Sequence, residues 1–141
     1  MSKLLQRLRD ASRSGVYRAA RKDAIVDVLR GSGVRLAQVA LRDGAGKDEI
    51  LAQIARELSF PDWFGGNWDA LEDCLGDLSW SDAAGHVLVI EGAQVAAADD
   101  IGVLRDILAS TAAYWSGRGR PFFAVFIGPD PGLPELHRER Q

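Results

Sequence analysis

The chain has 141 residues, 47% of them apolar and 26% charged, with a net charge of −3; this describes one globular domain with a real core and excludes a disordered chain. No apolar run approaches the ~20 residues of a membrane span. One cysteine and two histidines allow no internal disulfide and no zinc-type ligand spacing.

The charge is unevenly spread. Residues 1–56 carry 12 Lys/Arg and 6 Asp/Glu, residues 57–104 carry 10 Asp/Glu and no Lys/Arg, and residues 105–141 carry 5 and 4. A cation-free acidic third repels nucleic acid and attracts a basic partner.

In chain order, the opening MSKLLQRLRDASRSG is basic but lacks an apolar segment, so it does not read as a secretory signal. The lone Cys74 suits a reducing cytoplasm. Residues 3–12 form a short amphipathic helix with Leu4, Leu5 and Leu8 on one side, a solvated basic helix rather than a membrane anchor. Val16–Arg18 is a short extended piece. Residues 21–30 place Ile25, Val28 and Leu29 at helical spacing before Gly31 and Gly33 stop the helix.

From here the pattern is regular. VRLAQVAL (34–41) reads as a strand, and residues 47–58 as a helix with Ile50, Leu51, Ile54 and Leu58 on its buried stripe. Pro61 and Gly65-Gly66 make a loop, and residues 68–78 a second helix. HVLVIEG (86–92) is the near-continuous apolar run of a buried parallel strand. Residues 99–116 are helical, in one piece or two, and PFFAVFIG (121–128) is another buried strand. Strands separated by helices imply crossover connections and a parallel sheet. The tail from Gly128, with three prolines, reads as extended or mobile.

The stretch FPDWFGGNWDALEDCL (60–75) carries the functional signal. Asn67 is a good N-cap, and Gly65 and Gly66 can adopt positive φ. Leu71, Cys74, Leu75 and Leu78 follow the i, i+3, i+4, i+7 rule and define the buried face. Asp69 and Asp73 then lie almost opposite it, with Glu72 and Asp77 flanking them. Like charges four apart on a helix repel by about a few tenths of a kcal/mol per pair. The helix dipole favours Asp69 near the N-terminus but not Asp77 near the C-terminus. As the wet face of an amphipathic helix, any one of these acids is unremarked. A stripe without a counter-ion, preceded by Trp63, Phe64 and Trp68, has instead the composition of a binding hot spot. Phe64 and Trp68 are expected in the core, while Trp63 divides evenly between core and surface.

Catalysis is not expected. An i, i+4 carboxylate pair on an exposed helix lacks the cleft that shifts pKa values. No HExxH, P-loop, GxSxG or GxGxxG is present. Cys74 lies on the buried face, and His86 opens a strand, where a structural or surface role is the safer reading. No catalytic residue, metal ligand or cofactor is therefore assigned.

At WFGGNWDALEDCL (63–75) the sequence resembles the barstar family, intracellular inhibitors of barnase-type ribonucleases. The aromatic pair, the glycine, the asparagine, the two aspartates and the cysteine all coincide, and the order of elements from about residue 34 to 128 is similar. The resemblance implies a barstar-like two-layer α/β fold: a small parallel sheet of three strands covered by helices, to which the N-terminal prefix can add a fourth strand. Residues 1–33 are then an N-terminal extension packed on the main domain, 34–128 the barstar-like domain, and 129–141 a mobile tail. It also implies a monomeric protein whose loop and acidic helix plug the active site of a basic ribonuclease, carboxylates standing where RNA phosphates sit. Asp73 would be the main phosphate mimic and Asp69 would meet a second cation. Trp63 would pack on the enzyme, and Asn67 and Gly65 would shape the loop. Trp68, Glu72 and Asp77 complete the expected partner-binding set.

Beyond the N-terminal prefix, which has no counterpart in the family's minimal fold, the chain departs from the family at three places. Glu72 replaces an aromatic contact residue, Trp68 an aliphatic one, and the helix ending STAAYWSGRGR lacks an interfacial acid. A module binding a different basic protein or toxin is therefore the second reading. A metal-dependent hydrolase using Asp69, Asp73 and Asp77 is a distant third.

Overall fold

The computed structural model describes residues 2–137. Four parallel strands form one sheet: β1 (Gly15–Ala19), β2 (Val34–Ala40), β3 (Gly85–Glu91) and β4 (Phe122–Ile127), in the order β1-β4-β3-β2. The helices are α1 (Lys3–Leu8), α2 (Asp23–Leu29), α3 (Lys47–Glu57), α4 (Trp68–Asp77) and α5 (Ala98–Ser116), with a 3₁₀ turn at Ala11–Arg13. The region 99–116 is thus one continuous helix.

Side-chain alternation along the strands divides the core. On β3, Leu88 and Ile90 enter one cluster, while Val87 and Val89 enter the other. On β4, Phe122, Ala124 and Phe126 face the first and Phe123 and Val125 the second. The central strands are therefore apolar on both faces, which is why they read as unbroken hydrophobic runs. The first cluster is closed by α3, α4 and α5, which makes the two layers of the region from β2 to β4. The second is closed by Leu4 and Leu8 of α1 and Ile25 and Leu29 of α2. The prefix thus supplies an edge strand and a third layer on the opposite face.

Both sheet edges are covered. On β2, the amide of Ala40 donates to Gln53 Oε1 at 3.1 Å and that of Gln38 to Glu57 Oε1 at 3.2 Å, so α3 side chains occupy the free edge. The edge of β1 is occupied by the tail, where the structure departs from the expected mobility. The amide of Arg18 donates to Pro134 O at 2.8 Å, that of Leu136 donates to Arg18 O at 2.9 Å, and Leu136 is fully buried. Arg105 also pairs with Asp130. The prolines keep this segment extended, and an extended chain beside an open edge finds hydrogen bonds there. Residues 138–141 of the expected tail lie outside the described residues.

His86 at the start of β3 is structural, not a surface group. It is 2% exposed, and its Nε2 shares a 2.8 Å hydrogen bond with the Ser81 hydroxyl. Burial, reinforced by the charges of Arg120 and Arg35, lowers its pKa from 6.5 to about 4. The folded protein therefore keeps His86 neutral while the unfolded chain takes up a proton below pH 6.5. Its contribution is fully present above that value and is lost as the pH falls toward 4, by up to about 3 kcal/mol. Urea unfolding at pH 7, 5.5 and 4.5 should show this slope in the wild type and a flatter one in His86→Gln. Parallel slopes would mean that other groups carry the acid sensitivity.

Candidate functional site

Helix α4 is built to bury one face and wet the other. Asn67 takes the N-cap position with extended backbone (φ −132°, ψ 173°), and its side-chain oxygen accepts the Ala70 amide at 2.7 Å. That bond satisfies a donor the first helical turn leaves free. Gly66 before it has φ +70°, a conformation only glycine adopts without strain. Gly65 does not take positive φ, and a Cβ there would meet Ala70 Cβ at an ordinary 3.7 Å. The tight turn into the helix is thus made by Gly66 alone.

Leu71, Cys74, Leu75 and Leu78 are all buried, as their spacing predicts. Burial pushes the Cys74 thiol up, and the nearby Asp77 and Asp73 carboxylates add to the effect. A buried thiol held protonated is a core residue, not a nucleophile. Asp69, Glu72, Asp73 and Asp77 are exposed, and among the described residues none of them forms a salt bridge. No basic residue occupies the last turn of α4 to offset the dipole beside Asp77.

The three aromatics before and at the start of α4 separate. Phe64 and Trp68 are half-buried and pack against the first core cluster, whereas Trp63 is 59% exposed. The Phe64 amide donates to Pro61 O at 3.0 Å, closing a turn that sends one ring inward and leaves the other out. Of the residues read from sequence as a partner-binding set, Trp63, Gly65, Asn67, Asp69, Glu72, Asp73 and Asp77 lie on the surface. Trp68 is divided between surface and core.

Tertiary packing adds residues that the sequence did not mark. Ser110, Thr111 and Tyr114 of α5 face Glu72, Asp73 and Gly76 of α4 across an open groove of about 370 Å³. Trp115 fixes this arrangement, its Nε1–H donating to Leu75 O at 2.8 Å. Tyr114 is 43% exposed, and Arg118 Cζ lies 4.1 Å from the centre of its ring, in cation–π range. A cation from a later part of the chain thus packs on a ring that lines the groove, without itself lining it. Only the helical spacing of 110, 111 and 114 hints at one face, and nothing local says that α4 lies opposite.

Chemically, the surface is a row of acceptors beside an exposed indole. It suits guanidinium, ammonium or imidazolium donors, which carboxylates bind with charge-assisted hydrogen bonds. Among the described residues, no group of three or more His, Cys, Asp and Glu is placed to hold a metal ion, and no helix is long and apolar enough to cross a membrane. A family model described as Barstar (barnase inhibitor) matches residues 34–127, from the first residue of β2 to the last of β4. No curated protein matches the chain.

Proposed function

The chain belongs to the barstar family, and on that premise we propose that it inhibits a basic ribonuclease by plugging its active site with α4 and the loop before it. Barstar is an inhibitor family, and the chain has no catalytic role of its own in this reading. The observation that carries it is the row of four exposed carboxylates on α4, without ion-pair partners among the described residues, beside an exposed Trp63. An enzyme that cleaves RNA must hold phosphates with cations, and a fixed row of carboxylates competes for them. Asp73, central on the exposed face, is the main phosphate mimic, and Asp69 meets a second cation. Glu72 and Asp77 extend the field, Trp63 packs on the enzyme, Asn67 caps the helix that the loop leads into, exposed Gly65 leaves room for the partner's close approach, and Trp68 contributes its exposed part. The protein acts as a cytoplasmic monomer.

The acidic field also speeds encounter, and inhibitor–ribonuclease pairs of this family are themselves the reference case for such steering. The test is inhibition of a panel of small basic ribonucleases at low and moderate salt. The screening length falls from about 30 Å at 0.01 M to about 8 Å at 0.15 M, so inhibition should weaken as salt rises. Failure to inhibit any member would remove the nuclease from the proposal.

A second reading is favoured by the groove wall. There α5 presents Tyr114 capped by Arg118 rather than an acid, and α4 presents Glu72 rather than an aromatic. Those changes alter the shape and charge offered to a partner, so a basic protein other than a ribonuclease is the alternative. Binding to such a protein with no loss of nuclease activity separates the two.

A further inference from the structure

Trp63 poses a problem that the acidic helix does not. A large side chain left 59% exposed on a loop would ordinarily sample several rotamers, and ordering it on binding weakens association. The structure gives it one ring partner. Trp80, two residues past the end of the α4 cap, meets Trp63 edge to face with centroids 6.1 Å apart and planes at 81°. Such contacts are favourable beyond the area they bury.

Trp80 is itself held from two sides. Its Nε1–H donates to Leu58 O at 3.0 Å, at the C-cap of α3. Phe60 packs edge to face against it at 5.8 Å, and Phe60 in turn meets Phe64 at 5.0 Å. Phe60, Phe64 and Trp80 are all packed against the first core cluster. The ring that touches Trp63 is thus fixed to the core, to the end of α3 and to the start of the loop, while Trp63 itself remains in water.

We infer that Trp80 is a positioning residue: its fixed indole preorganises the exposed Trp63 in a single orientation for the partner. This rests on the proposed binding role of Trp63. Trp80 acts through that ring and touches the partner only through it. The side chain of Trp80 lies outside the acidic row, so the effect is one of order, not charge.

Two measurements on the full chain test this. The first needs no partner: ¹⁵N relaxation of the Trp63 indole N–H in the wild type, Trp80→Leu and Trp80→Phe. Trp63 should become mobile in Trp80→Leu and stay ordered in Trp80→Phe, which keeps an aromatic face but loses the bond to Leu58 O. Unchanged Trp63 order in Trp80→Leu would overturn the inference. The second is binding to a barnase-type ribonuclease in a double-mutant cycle. Trp80→Leu should weaken binding about threefold to tenfold when Trp63 is present and have no effect on top of Trp63→Ala. An equal loss in both backgrounds would make Trp80 merely structural and overturn the inference. If the wild type binds no ribonuclease, the proposed function fails, while the relaxation data still decide the role of Trp80.

Discussion

Asp73→Ala is expected to weaken binding to a barnase-type ribonuclease by about 30-fold or more, the range of a hot-spot residue. Asp73 is exposed, lies opposite the buried Leu71–Leu78 face, borders the groove against α5 and has no ion-pair partner among the described residues. Its carboxylate is therefore free to meet a cation of the partner. Removing it leaves that cation desolvated and unpaired, which is why one truncation can outweigh many neutral contacts. Asp73→Asn keeps the shape and removes the charge, and it should lose most of the same affinity. Lys47→Ala, exposed at the start of α3, should change binding by less than about twofold, because it stands outside the acidic row. Folding is not at risk, since alanine is a better helix former and the change relieves repulsion along α4. Equal losses in Asp73→Ala and Lys47→Ala, measured by titration calorimetry, would place the interface elsewhere on the molecule.

The largest effect on stability is expected at Gly92, just past the end of β3. Its φ is +86°, and a Cβ there would lie 1.9 Å from Leu41 O and 2.9 Å from Leu41 C. Both are backbone atoms of the segment leaving β2, and the Leu41 amide is already bonded to Glu91 O at 2.8 Å. Neither strand end can move without breaking that bond. Gly92→Ala therefore combines left-handed strain with a main-chain clash, and it should cost about 3 kcal/mol or more. Gly31→Ala is the control. Gly31 has φ +66° but nothing within 4 Å of the added carbon, so only the backbone strain of about 1–2 kcal/mol applies. Chemical denaturation of the two variants should separate them clearly. Comparable midpoints would show that β2 and β3 part more easily at this end than their hydrogen bonds suggest.

Local pattern was enough to read most elements of this chain. The apolar runs around 86–92 and 121–128 became the two central strands because burial on both faces needs no polar alternation. The buried face of α4 was legible because four apolar residues repeat with the helical period, and its acidic face followed from the same period. The Asn67 cap was legible because its chemistry is local. These are properties of residues a few positions apart, and one sequence contains them.

Other properties depend on residues far apart in the chain. The tail looked mobile because its prolines and glycines form no periodic element, yet Leu136 is buried and the segment hydrogen-bonds along the edge of β1, more than a hundred residues away. The cation-free character of residues 57–104 was correct along the chain but incomplete in space, since Arg118 packs on Tyr114, whose ring lines the groove with Glu72 and Asp73. Whether Trp63 was core or surface could not be decided from its neighbours, because a turn at 61–64 and the ring of Trp80 settle it. Sequence alone determined the periodic elements, the wet and dry faces of α4 and the cap that starts it, because hydrophobic period and backbone hydrogen bonding act over a few residues. Only the tertiary structure decided the third layer, the edge-covering tail, the α5 wall of the groove and the support beneath Trp63, because those come from packing between segments that no local pattern relates.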